Sequence, residues 1–356
     1  MKFLIVSLGS IGDLMPFLAV AERLRARGHQ AVIASNAGYA QLVHGAGFEF
    51  AAIWQRDQQS LDEVIAHDPL AAWRTVRAQM FVPATQPAFN FIADHARGGP
   101  CTILASWSAF GARRAHAQLK LPLCNVYLSP GAIAEDTETF AKGTRCRSIG
   151  FFPDWFAATR SGMPDDIEPT GFPLFDDALI PALPAPLEAF LQQGPPPVIF
   201  TPGSFMRQAG AFFRASLTAC ERLGLRAVFL TPYRDQIPDS LPPGILHFSY
   251  VALQRLAPRA AALVSHGGIG TCAQALKAGI PQLLTPVFFD QFDNAARLEA
   301  LGVGAAVAGD SADDIAAKLQ TVLMSQTVRQ KCQALRARFG DNDPLERICD
   351  IALSLA

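Results

Sequence analysis

Residues 265–302 read SHGGIGTCAQALKAGIPQLLTPVFFDQFDNAARLEALG, and this stretch decides the fold. A strand, AALVSH (261–266), runs into Gly267, Gly268 and Gly270, and Thr271 is expected to open a helix over 271–278. PQLLTPV (281–287) reads as a buried strand, with FFDQFDN as the loop at its carboxyl end. Strand, helix, strand in this order implies parallel pairing. Glycines let a ligand approach the backbone closely. The free N–H groups of a helix start, with the helix dipole, make an anion site, the dipole part worth roughly 0.3–1 kcal/mol. His266 adds a donor or a positive charge beside it. A Gly-rich turn with Thr271 as an ordinary N-cap is the competing reading. Asp290 and Gln291 place a carboxylate beside an amide, a set suited to sugar hydroxyls, and Asn294 stands close behind. Asp293 is the expected cap of NAARLEALG (294–302), which leaves Asp290-Gln291 for a ligand.

The same grammar extends in both directions. FLIVS (3–7) is a short buried strand, GSIGD (9–13) a turn, LMPFLAVAERLRARG (14–28) a helix and QAVIAS (30–35) the next strand. CTILAS (101–106) and PLCNVYL (122–128) flank the helix AFGARRAHAQLKL (109–121). The stretch 175–197 carries six prolines and reads as a linker around a short helix. The pattern then restarts with PVIFTPGS (197–204), a helix over 210–225 and RAVFLT (226–231). Two α/β halves of like grammar follow from this, and such sheets bind ligands at the carboxyl ends of their strands. The first turn is Gly9-x-x-Gly12 and the second strand ends in Ser35-Asn36, with no acid for a ribose. Both features argue against a dinucleotide enzyme.

The chain has 356 residues, half of them hydrophobic, enough for two cores. A net charge of −1 and no run of Lys or Arg speak against nucleic acid. Seven scattered cysteines without a Cys-x-x-Cys suggest free thiols in a reducing cytoplasm. The apolar run at the N-terminus is too short for a signal peptide, and no stretch is long enough to span a bilayer. Arg23, Arg25 and Arg27 read as a solvated helix end, with a peripheral contact to an anionic membrane surface as the alternative. No Asp-x-Asp and no His/Cys cluster suggests a metal.

SHGGIGT…AGIPQLLTPVFFDQFDNA resembles the donor signature of family 1 glycosyltransferases with the GT-B fold. LIVSLGSIGDLMPFLAVAERLRARGH, TGFPLFD (170–176) and PPVIFTPGS extend the resemblance over most of the chain. GSIGDLMPF, FFPDWFA (151–157), TGFPLFD and DQFDNAARL look most like the rhamnolipid-type rhamnosyltransferases. The resemblance implies two Rossmann-like α/β domains facing across a cleft. Residues 1–175 would bind the acceptor, 176–196 form a Pro-rich linker and 197–325 bind the nucleotide sugar, with helices in 326–356 crossing back to the first domain. It implies inverting transfer of a rhamnose- or glucose-type hexose from a dTDP- or UDP-sugar to a hydroxyl of a hydrophobic or lipid acceptor. No metal or cofactor would be needed. Ser204, Tyr250, Val251, His266, Gly268, Gly270, Thr271, Asp290, Gln291 and Asn294 would bind the donor. Ser10, Ile11, Trp107, Phe152 and Trp155 would meet the acceptor. Asp13 matches the family's general base, although an Asp ahead of this helix is equally an N-cap. An ordinary Asp, with a pKa of about 3.9, is a poor base at neutral pH, and the apolar neighbours Met15 and Phe17 would raise it. Where the family stacks the nucleobase on a Trp-x-Pro-Gln-like motif, this protein has Tyr250-Val251-Ala252-Leu253. Its segment between Pro130 and Phe151 is shorter than in the rhamnolipid-type enzymes. An epimerase or hydrolase acting on the donor alone, or a silent binding partner of another transferase, are the alternatives.

Overall fold

A computed structural model describes residues 1–55, 69–136, 145–159, 164, 166–175, 181–203, 206–340 and 343–355. The chain divides into two units, Met1–Leu174 with Asp343–Ala356, and Phe175–Asn342. The first is built on β1 (Lys2–Val6), β2 (Gln30–Asn36), β3 (Glu49–Trp54), β4 (Cys101–Ser106), β5 (Leu123–Tyr127), β6 (Cys146–Gly150) and β7 (Ile167–Pro169). The strands lie in the order β3-β2-β1-β4-β5-β6-β7, all parallel. Phe3, Leu4, Ile5 and Val6 are all buried. That unbroken apolar run is what a parallel strand covered on both faces requires, because neither side chain direction meets water. Strand order reverses between β1 and β4, where Leu4 pairs with Val32 on one side and Ile103 on the other. A crevice opens beyond the carboxyl ends of two such strands, since their following helices leave on opposite faces.

The second unit repeats the plan with β8 (Val198–Thr201), β9 (Ala227–Leu230), β10 (Ile245–Phe248), β11 (Ala262–Ser265), β12 (Gln282–Leu284) and β13 (Gly304–Ala306). Their order is β10-β9-β8-β11-β12-β13, and the reversal falls between β8 and β11. β8 shows how the two layers arise from alternation. Val198 and Phe200 join Phe213, Phe229 and Leu319 on one face, while Ile199 joins Leu187, Val228, Leu256 and Leu263 on the other.

Leu187 belongs to the helix Ala185–Gln192, so the stretch expected to be a linker contributes a side chain to the second core. The C-terminal part also differs from the expectation that everything after 325 crosses back. The helix Gln326–Ala337 packs on the second unit, where Gln333 Nε2 donates to Gly279 O at 3.0 Å. The helix Pro344–Ser354 is the part that belongs to the first. Its Ile348 and Cys349 are buried, and Asp343 caps it by accepting from Leu345 N at 2.9 Å. Arg23 reaches Asp343 and Glu346 at 2.6 Å each, and Arg27 reaches Asp350 at 2.8 Å. Arg25 pairs with Glu22 and donates to Ala46 O. Arg25 and Arg27 are exposed, as a solvated helix end implies, and all three arginines are ion-paired to the protein's own carboxylates. All seven cysteines are free. Among the described residues, no helix is long and apolar enough to cross a membrane.

Candidate active site

At the reversal point of the first sheet, β1 ends and Gly9-Ser10 leads into the helix Ile11–Ala26. Ser10 is the N-cap and Asp13 the third helical residue, so Asp13 is not the N-cap its position suggested. The two form a capping box. Ser10 N donates to Asp13 Oδ2 at 2.6 Å, and Ser10 Oγ donates to the same oxygen at 2.7 Å. Ser10 thus anchors the carboxylate through Oδ2. Burial raises the pKa of Asp13 above its ordinary value, against the pull of the Ser10 hydrogen bonds. Gly9, at φ +133, makes this possible: a Cβ there would collide with the Asp13 carboxylate. Across the reversal point, Leu8 N donates to Ser106 Oγ at 3.4 Å, which joins the ends of β1 and β4.

Ser10 and Ile11 sit at this helix start and are half-buried. Trp107 and Phe152 do not offer an acceptor the open faces expected of them. Trp107 is 4% exposed and its ring lies 5.5 Å from Trp73, 5.9 Å from Phe81 and 6.4 Å from Tyr127. Phe152 is fully buried, its ring over Gly150. Both are core residues, held there by the area of apolar ring each removes from water. Trp155 is half-buried, edge-on to Phe156 and Phe172.

In the second unit the reversal point lies between β8 and β11, and His266 follows β11. Its imidazole sits between two glycines. A Cβ on Gly203 would lie 2.6 Å from His266 Cε1, and one on Gly268 would overlap Nε2. Burial pushes the His266 pKa down to about 4, while the Thr201 backbone acts weakly in the other direction. The ring is therefore neutral near pH 7, which of the two expected roles, a donor or a positive charge, leaves the donor. Its Nδ1 is buried without a hydrogen-bond partner among the described residues. The following helix is Ile269–Ala278 with Gly268 as N-cap, two residues earlier than Thr271 as the opener implied. Gly268 has no side chain to cap the first turn, and among the described residues no side chain caps it. Gly270 is exposed and Thr271 half-buried.

Asp290 and Gln291 stand beyond β12. The helix here is Gln291–Leu301, with Asp290 in the N-cap position and no side-chain cap hydrogen bond. Asp293 lies inside that helix and pairs with Arg297 at 2.6 Å, so it is not the cap. Gln291 Oε1 accepts from Val287 N at 2.9 Å and Phe288 N at 3.0 Å. This holds a loop in which Phe289 has φ +58, unusual for a bulky residue. Asn294 is fully buried rather than open to a ligand. Val251 is 5% exposed and packed in the core, while Tyr250 is 68% exposed. Ser204 lies outside the described residues. Gly9 and Gly203 carry a site role that the sequence reading of their turns did not assign. Their signal was positional: each follows the first strand of its unit and precedes a serine.

Residues 3–134 match the glycosyltransferase family 28 N-terminal domain. Residues 229–349 match the erythromycin biosynthesis protein CIII-like C-terminal domain. The O-mycaminosyltylonolide 6-deoxyallosyltransferase of Streptomyces fradiae is 26% identical over 98% of this chain and 96% of its own length. The L-demethylnoviosyl transferase of Streptomyces niveus is 28% identical over 89% of this chain and 87% of its own. Among solved structures, a spinosyn rhamnosyltransferase in complex with thymidine diphosphate has the same fold. It superposes with a TM-score of 0.76 at 20% identity, covering 99% of this chain and all of that one.

Proposed function

We propose that this protein, which belongs to the GT-B glycosyltransferases of family 1, moves a hexose of the rhamnose or glucose type from a dTDP- or UDP-sugar to a hydroxyl of a hydrophobic small molecule or lipid, with inversion and without a metal or cofactor. The observation that carries the reading is the helix start at the reversal point of the second sheet. There, a first turn without a side-chain cap starts beside a neutral His266 whose ring packs against Gly268, and Thr271 is its third residue, a set suited to a departing diphosphate. Asp290 and Gln291 beyond β12 then read the sugar hydroxyls, and exposed Tyr250 offers its ring to the base.

The reaction is a single displacement. The acceptor hydroxyl gives its proton to Asp13 Oδ1, and its oxygen forms a bond to the anomeric carbon. The bond from that carbon to the diphosphate oxygen breaks on the opposite side, and the nucleoside diphosphate leaves with the electron pair. Burial supports Asp13 in this role, because a raised pKa brings a carboxylate closer to the pH at which a base works best. Half-buried Trp155, with Ser10 and Ile11, is the acceptor surface in this reading. The 6-deoxyallosyl group in the name of the full-length relative supports a 6-deoxyhexose such as rhamnose. Free cysteines support a reducing cytoplasm.

The test is a thermal-shift titration with dTDP-rhamnose, dTDP-glucose, UDP-glucose, UDP-GlcNAc and NAD, with His266→Ala alongside. Stabilisation by a sugar nucleotide, lost in the variant, is the expected result. A shift with NAD alone sinks the proposal. Turnover of the donor without any acceptor would assign an epimerase or hydrolase instead. The anomeric coupling in the product's proton spectrum decides inversion.

A further inference from the structure

Asn294 is fully buried one helical turn beyond Asp290. Its Nδ2 donates to Gly267 O at 3.0 Å and to Asp290 Oδ2 at 2.9 Å. Its Oδ1 is buried without a hydrogen-bond partner among the described residues. Both groups facing Nδ2 are acceptors only, so the bridge needs one nitrogen carrying two hydrogens. An amide supplies that; a hydroxyl carries one hydrogen and a carboxylate none. The same requirement fixes the amide's orientation, because a flip would set Oδ1 against a carbonyl and a carboxylate. One buried side chain thus ties the glycine turn after β11 to the carboxylate after β12.

We infer that Asn294 is a positioning residue for donor-sugar selectivity: it does not touch the donor, and it holds the Asp290 carboxylate in the orientation that reads the sugar's hydroxyls. This rests on the donor role proposed for the second unit. A hydrogen bond to a charged group is among the stronger ones, so its loss should relax selectivity about ten- to a hundredfold.

The test uses the full chain and calorimetric Kd values for dTDP, dTDP-glucose and dTDP-rhamnose. dTDP engages the helix start without the sugar, and the two sugars differ in their hydroxyls. Asn294→Asp keeps the shape and replaces the donor with an acceptor; Asn294→Ala adds no charge and serves if the first variant does not fold. Either variant should lose most of its preference between the sugars, a larger change than any in its affinity for dTDP, which the bond to Gly267 O also touches. In an Asp290→Ala background, Asn294→Ala should change that preference no further. A parent-like preference in both variants overturns the inference, as does an equal loss of affinity for dTDP and both sugars. A parent that binds none of these compounds and none of UDP, UDP-glucose and UDP-GlcNAc removes the donor reading itself; a parent that binds only the UDP set is tested with that set in the same way, and a parent that binds and discriminates leaves only Asn294 at stake.

Discussion

Replacing Asp13 by Asn separates its two duties. In the capping box, Oδ2 accepts from Ser10 N at 2.6 Å and Ser10 Oγ at 2.7 Å, and the amide oxygen of Asn can take both bonds. The amide nitrogen then stands where Oδ1 was and cannot accept a proton. The helix start is kept and the base is lost. General base catalysis contributes about 10²–10⁴-fold, so kcat should fall by that factor, about 2.7–5.4 kcal/mol of barrier. Stability should move the other way. Burial raises the folded-state pKa of Asp13, so the folded chain holds the proton more tightly than the unfolded one. Ionising Asp13 then costs stability as pH rises past its unfolded pKa of about 3.9, and a neutral Asn avoids that cost. Asp13→Asn should melt higher than the parent at pH 7, and the gain should vanish below about pH 4, where both side chains are neutral. Asp13→Ala should lose activity too and melt lower than Asp13→Asn, because it leaves Ser10 N and Ser10 Oγ without their acceptor in the capping box. The assay is initial rate against pH with the identified donor and acceptor, beside calorimetric melting at pH 4 and 7. An Asp13→Asn enzyme with kcat within about threefold of the parent would refute the reasoning, since no effect of that size is compatible with a lost general base.

Three further outcomes are expected. Gly203→Ala and Gly268→Ala drive a Cβ into the His266 ring and should weaken dTDP binding by about tenfold or more, measured by calorimetry. His266, held neutral with a pKa pushed down to about 4, makes the unfolded chain the stronger proton binder between that value and the ordinary 6.5. The parent should therefore lose melting temperature as pH falls through that window, and His266→Gln should lose less. Arg23→Ala removes contacts to Asp343 and Glu346 and should cost about 1 kcal/mol, seen as faster amide exchange in the helix 344–354. The same contacts should weaken in 1 M salt, so the difference from the parent should shrink there.

Much of this protein is legible without coordinates, because its information is local. Unbroken apolar runs such as FLIV mark strands buried on both faces, and their spacing to the next helix forces parallel pairing. The glycine turn after AALVSH and the Asp290-Gln291 pair announce themselves by residue type and order. What the sequence left open depends on neighbours far along the chain. Trp107 and Phe152 look the same in sequence whether they face a ligand or a core, and only packing against Trp73, Phe81 and Tyr127, or over Gly150, decides for the core. The charge of His266 depends on how completely Gly203 and Gly268 close around it, which brings together residues some sixty positions apart. The helix after 342 finds its place through carboxylates that meet Arg23 and Arg27, more than three hundred residues away. Residue order determines which chemical groups are present and which strands and helices carry them. Tertiary structure decides which groups are dry, because the desolvation that sets a charge or hides a ring comes from contacts made only after the chain has folded.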